Sequence, residues 1–278
     1  MINCKKFLCH ADLHTLFIQG DFFMELQTQI PPLQMLCYFI LLFMIFSVAG
    51  WIMEVTLKYI QFRRFINRGF LIGPYCPIYG AGAVLVTAVV HFTAGDDCTY
   101  FEAFLISFVF CSALEYFVSW YMEKVFHARW WDYSDRPMNL EGRIWIGNCV
   151  LFGIGGVLVV KLIAPALFRQ FARIPEKTLY IICICFLLIL ATDYVFSHIV
   201  TSMVRRVGEA STGDSTEQIS REIRRILSQK SMLHRRILDA YPHMQARTDA
   251  IQERLAEERQ KLHQRIKEES RRFYDREK

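Results

Sequence analysis

The chain has 278 residues, 53% of them apolar, with 23 Phe, 12 Tyr and a formal net charge of +5. The apolar residues gather in long blocks between Leu36 and Val204, which excludes a single soluble globular domain. From Arg205 to Lys278 there are 18 Lys/Arg against 13 Asp/Glu, while residues 1–204 hold 14 of each sign, so the whole net charge lies in the tail. The pattern predicts an all-α polytopic membrane bundle of about five spans with a charged helical C-terminal tail. It divides the chain into a leader (1–33), a transmembrane bundle (34–204) and a tail (205–278).

In the leader, Lys5 and Lys6 precede a stretch interrupted by His10, Asp12, His14 and Asp21, too polar for a signal-peptide core. It reads as a poorly defined segment, with Met24 and Met35 as alternative starts. Cys4, Cys9, His10 and His14 match no recognised zinc spacing. No metal and no cofactor are expected. The nine cysteines are odd in number and lie mostly within the apolar blocks, where they serve as small apolar side chains rather than a disulfide framework.

Five blocks are long enough to cross a hydrocarbon core of about 20 helical residues. They are Leu36–Tyr59, Pro74–Phe92, Phe104–Met122, Ile144–Phe168 and Leu179–Val204. Each is a continuous apolar run, which predicts helix rather than the alternation of a barrel strand. Arg63, Arg64 and Arg68 in the first loop, Lys124, Arg129, Arg136 and Arg143 in the third, and Arg205 and Arg206 beyond the fifth span set the orientation. These loops and the tail are expected to be cytoplasmic, in a bacterial cell membrane, with the N-terminus outside; Arg169, Arg173 and Lys177 of the fourth loop argue mildly the other way.

Three carboxylates fall inside spans, where an ionised group costs roughly 2.5–3.5 kcal/mol and needs a partner or a wet cavity. Glu54 shares a small, polar helix face with Ser47, Gly50 and Lys58; it reads either as a local pair with Lys58 or as substrate-facing. Glu115 shares a stripe with Ser119 and Glu123 and has no basic residue one turn away, so its partner must come from elsewhere; it reads as functional. Asp193, in line with Ser197 and Thr201, reads as a clamp holding the bundle together. Glycines in the second and fourth spans read as packing faces.

Two stretches carry unusual chemistry. "NRGFLIGPYCPIYGAG" (residues 67–82) leads helix breakers straight into an apolar block. The residues before its prolines, Gly73 and Cys76, are biased away from helix, so regular helix is expected only from about Pro77. "EKVFHARWWDYSDRPMNLEGRIW" (residues 123–145) mixes tryptophans with carboxylates, guanidiniums and amides more densely than an aromatic belt requires. The two stretches are expected to share one cytoplasmic mouth. Its candidate substrate- or channel-lining residues are Asn67, Arg68, Tyr75 and Tyr79 from the first, and Trp131, Asp132, Tyr133, Asn139 and Arg143 from the second, together with Glu54 and Glu115.

"GWIMEV", "NRGFLIGPYCPIYGAGA", "EYFVSWYMEKVFHARWWDYSDRPMNLEGRI" and "LFGIGG" together resemble the CmpB family of bacterial membrane proteins, over about Leu36 to Phe168. That resemblance implies a type IV ABC-transporter permease, with no catalytic residues to carry across. The chain contains no G-x-x-x-x-G-K-[ST] phosphate loop, so the resemblance further implies a separate ATPase subunit.

Beyond Ser215 the tail is rich in Arg, Glu, Gln and Lys. Ile251, Leu255, Leu262, Ile266 and Phe273 recur with an eleven-residue period that suits a nearly straight or right-handed coil. Residues 215–278 therefore read as a helix for self-association or a partner helix, or as a solvated helix held by ion pairs. The mixed charge argues against nucleic acid. Three readings of function follow: a permease subunit in the lipid bilayer with a separate ATPase; an integral-membrane enzyme acting on lipid, with Glu54, Glu115, His127 and Asp132 as acid/base groups; and a scaffold or sensor signalling through the tail.

Overall fold

The structure, a computed structural model, describes residues 30–63, 65–67, 69–93, 97–126, 128–210 and 245–246. Arg68, His127, the leader up to residue 29 and the tail helix expected over 215–278 lie outside the described residues, Gln245 and Ala246 excepted.

All five apolar blocks are helical. They form α1 (Pro32–Phe62), α2 (Pro77–Thr93), α3 (Tyr100–Phe126), α4 (Ile146–Phe171) and α5 (Glu176–Ala210). Four of them are long and apolar enough to cross a membrane; α2, with 17 residues, is the short one. At 1.5 Å per residue α2 spans about 25 Å. It begins at Pro77, as the X-Pro steps before it require. Ile144 and Trp145, expected as the start of the fourth span, instead form strand β3. It pairs antiparallel with β2 (Asn139–Leu140), with Asn139 opposite Trp145 and Leu140 opposite Ile144. A second two-residue ladder joins β1 (Ala128–Arg129) to β4 (Gln245–Ala246).

Within α4 one turn, Val159–Ile163, widens to π geometry. Pro165 explains its position. A proline has no N–H to give to the carbonyl four residues back, that of Lys161, and its ring would clash with that carbonyl. α3 opens on a capping box: Glu102 N–H donates to Thr99 Oγ1 (3.2 Å), and Thr99 N–H donates to Glu102 Oε2 (2.7 Å).

The chain divides into two units: Met1–Gly50, Pro77–Leu114 and Ile146–Ile189 in the first; Trp51–Cys76, Glu115–Trp145 and Leu190–Lys278 in the second. In the first, Tyr38, Leu41, Leu42, Phe168, Phe171, Leu179 and Cys183 make an apolar core, with the Tyr38 ring 5.7 Å from both Phe168 and Phe171. A smaller core joins Val86, Val90, Cys98, Ala103 and Val160. Helices approach closely where side chains vanish. A Cβ on Gly80 would overlap the Phe43 carbonyl oxygen and the Ser47 hydroxyl, and one on Gly156 would overlap the Ser107 side chain. Lys161, in the π turn, donates to the Cys98 carbonyl and lies 5.7 Å from the centre of the Tyr100 ring.

In the second unit the buried Phe126 is an aromatic hub. Its ring lies 5.4 Å from Phe70, 6.0 Å from Trp130 and 5.3 Å from His198.

Candidate functional site

The site lies in the second unit and begins where helix is interrupted. Among the described residues between Asn67 and Cys76 no helical ladder is present to take the backbone N–H and C=O groups, and buried backbone groups must find other partners. Side chains supply them. Ile72 N–H donates to Asp193 Oδ1 (2.9 Å) and to Ser197 Oγ (3.0 Å), and Gly73 N–H donates to Asp193 Oδ2 (2.6 Å). The Tyr75 hydroxyl donates to Asp193 Oδ2 (2.5 Å) and the Ser197 hydroxyl to Asp193 Oδ1 (2.7 Å). One carboxylate thus accepts four hydrogen bonds, three of them from the broken segment.

The segment is pinned on a second side by α1. Trp51 Nε1–H donates to Asn67 Oδ1 (2.6 Å), and Asn67 Nδ2–H donates to the Ile72 carbonyl (3.2 Å). Both polar backbone groups of Ile72 are therefore satisfied by side chains, one from α5 and one relayed from α1. Replacing Asn67 by Ala removes the Ile72 carbonyl's side-chain donor and strands the Trp51 indole. A loss of about 1–2 kcal/mol is expected, read as a lower thermal midpoint in detergent, with Trp51→Phe giving no further loss on top of it.

The second part is a cap folded on the polar stripe of α3. Glu115, Ser119 and Glu123 are all buried. Arg143, 8% exposed, sets its guanidinium 3.0 Å from Glu123 Oε2, 3.4 Å from Glu141 Oε2 and 3.5 Å from Ser119 Oγ, above the Tyr116 ring. Arg129 reaches the same Glu123 oxygen at 3.3 Å and donates to the Glu141 carbonyl (3.2 Å). A single carboxylate oxygen thus lies between two guanidiniums, the geometry of a charge-assisted pair shared by three groups. The Tyr133 hydroxyl donates to Glu115 Oε1 at 3.4 Å. Truncating Arg143 to Ala should cost about 2 kcal/mol, because Arg129 still faces Glu123. Arg143→Lys should recover little, since one ammonium cannot reach Glu123, Glu141 and Ser119 at once. Thermal unfolding of the purified variants checks both.

The loop itself is shaped by local hydrogen bonds. Asp132 Oδ1 accepts from the Ser134 N–H (3.0 Å) and hydroxyl (2.6 Å). Asn139 Nδ2–H donates to the Arg136 carbonyl (2.7 Å) and the Ser134 carbonyl (3.2 Å), while its Oδ1 accepts the Gly142 N–H (2.9 Å). Gly142 sits at φ 67°, and a Cβ there would overlap Asp132 and Ser134, so only glycine closes the turn. Trp131 Nε1–H donates to the Arg143 carbonyl (3.0 Å).

Glu141, on the outer edge of the cap, accepts from the Tyr116 hydroxyl (2.7 Å) and from Arg143, and these bonds hold its carboxyl below the usual range. A carboxyl lowered by folding contributes stability that is complete above the ordinary glutamate value of about 4.3 and is lost as pH falls through the lower folded value. Trp131 fluorescence should therefore change on acidification below about pH 4, with that step missing in Glu141→Gln.

Entrance and cap meet at Phe126, which touches Phe70 of the entrance and Trp130 of the cap. Asn67 and Tyr75 lie in the entrance, and Glu115, Trp131, Asp132, Tyr133, Asn139 and Arg143 in the cap. Glu54 is half-buried on α1 of the same unit. Tyr79 belongs to the first unit, where its ring fills the space a side chain at Gly50 would occupy. Asp193 clamps the broken backbone of the entrance rather than the side chain of a neighbouring helix. Trp51 and Lys161 went unnoticed in the sequence. Lys161 had a legible signal: an isolated cation in an apolar block, four residues before a proline.

Four membrane-length apolar helices, together with a shorter apolar helix, define an integral membrane protein of the helical-bundle class. Residues 41–198 match the family model for CmpB, described as "Putative ABC-transporter type IV". The chain belongs to that family, and is an integral membrane component of the ABC-transporter type. No curated protein and no solved structure matches it.

Proposed function

We propose that the chain is the multi-pass permease component of a bacterial transporter and works with a separate ATPase subunit. The supporting observation is the non-helical entry to α2, pinned by Asp193 and Trp51. Irregular backbone at a membrane face is tolerated where it is buried in protein or lines a wet cavity, and transport folds use such breaks to build their sites. In this reading the first and third loops and the charged tail are cytoplasmic, and the entrance and cap form the mouth on that side. Asn67, Arg68, Tyr75, Glu115 and Arg143 would line the mouth or support it, and the ATPase would dock against the loops around it.

Affinity purification from native membranes in mild detergent, followed by mass spectrometry, tests the proposal. The expected result is co-purification of a nucleotide-binding ATPase subunit, with ATP hydrolysis by the complex lowered in Arg143→Ala. Recovery of the folded, monodisperse protein with no ATPase and no ATP hydrolysis would overturn it.

A further inference from the structure

The cap ends in a hairpin whose first strand, Asn139–Leu140, carries or adjoins two exposed apolar side chains. Met138 is 78% exposed and Leu140 59%, in a loop that buries Trp130 and Ile144 and half-buries Trp131 and Trp145. The backbone bends on both sides of that strand: Met138 before it and Glu141 after it hold positive φ (51° and 53°), uncommon for side chains other than Gly or Asn, followed by Gly142 at 67° in the turn. The three hydrogen bonds of the Asn139 side chain fix the turn. Met138, just before the strand, and Leu140, within it, are both left exposed.

The register says what lies beside them. Asn139 pairs with Trp145 and Leu140 with Ile144, and Trp145 is followed directly by Ile146, the first residue of the membrane-length helix α4. The strand Asn139–Leu140 is thus paired with the two residues that directly precede a membrane-length helix. Arg136 completes the pattern, its guanidinium 5.5 Å from the centre of the Trp145 ring. Tryptophan and arginine with neighbouring apolar side chains are the chemistry of the boundary between hydrocarbon and headgroups.

We propose that residues 136–145 form an interfacial lipid-binding hairpin: Met138 and Leu140 dip into the acyl boundary, and Arg136, stacked on Trp145, meets the phosphate of an anionic headgroup. The lipid surface is the occupant because the hairpin is covalently continuous with the span that enters it. The proposal rests on the chain being a membrane protein and is independent of what it transports.

The full chain reconstituted in vesicles tests it, with Met138→Trp and, separately, Leu140→Trp read as difference fluorescence against the parent protein. Both sites are exposed, so either variant can serve if the other fails to fold. The added tryptophan should be quenched by phospholipids brominated near the top of the acyl chain and shielded from aqueous iodide. Quenching by iodide and not by the lipid would overturn the proposal. So would quenching by neither, which would mean that protein covers the two side chains. For the headgroup, quenching should be at least twofold stronger with brominated phosphatidylglycerol than with brominated phosphatidylcholine, and equal for the two in Arg136→Gln. Equal quenching in the presence of Arg136 would remove the anionic headgroup from the proposal.

Discussion

Replacing Asp193 by Ala is expected to release the entrance to α2 and to cost on the order of 4 kcal/mol. The carboxylate accepts from two consecutive backbone N–H groups, Ile72 and Gly73, and from the hydroxyls of Tyr75 and Ser197. Hydrogen bonds to a charged acceptor contribute roughly 1.5–3 kcal/mol each, and a buried donor left without an acceptor carries its own desolvation cost. Water and the Ser197 hydroxyl recover part of the loss, which keeps the net effect below the sum of the bonds. Asp193→Asn preserves the shape and one acceptor oxygen and should lose about half as much; Tyr75→Phe should lose about 1 kcal/mol. The distinguishing readout is amide exchange at Ile72 and Gly73. It should speed up by about a hundredfold in Asp193→Ala while the amides of the Tyr38–Phe168 core keep their protection. Unchanged exchange at those two amides would show that Asp193 does not hold the segment.

The second large effect is steric. Gly80→Leu is expected to yield no stably folded protein, and Gly80→Ala to cost about 3 kcal/mol. The first atom of any side chain there would overlap the Phe43 carbonyl oxygen of α1. A backbone carbonyl in a helix cannot rotate away as a side chain can, so the two helices would have to separate. Gly156→Ala should cost a similar amount, because a rotamer change moves the Ser107 Oγ but leaves in place its Cβ, which the new side chain would also overlap. Gly155 supplies the control. Nothing lies within 4 Å of a Cβ there, and Ala in its place should be neutral or stabilise the helix by up to about 1 kcal/mol. Thermal unfolding in one detergent ranks the three alanine variants; a Gly80→Ala protein as stable as Gly155→Ala would refute the close-contact explanation.

The two effects show how unevenly the molecule was legible. The five helices could be read from apolar block length alone, because a continuous apolar run in lipid must close its backbone hydrogen bonds within itself. The start of α2 at Pro77 was equally local, being set by Gly73–Pro74 and Cys76–Pro77. The π turn in α4 was not anticipated, although Pro165 marks its place. Gly155 and Gly156 are neighbours and look alike in sequence, yet one is pressed against Ser107 and the other faces open space. Which of the two matters is a property of the neighbouring helix.

The candidate site divides along the same line. Composition placed a polar, aromatic loop and a broken entrance beside membrane helices, and singled out Asp193 as a clamp. It did not say that the partner of Asp193 lies 120 residues earlier, in backbone N–H groups that carry no residue-specific signature. Nor did it pair Arg143 with Glu123 among the many opposite charges available, or turn Met138 outward while burying Trp130. The sequence by itself determined the membrane helices, the break before α2 and the kinds of groups in the two polar stretches, because each depends on solvent preference and on φ restrictions within a few residues. Only the tertiary structure decided which carboxylate holds which backbone, since hydrogen bonds and ion pairs act over about 3 Å and are chosen by what packing brings that close.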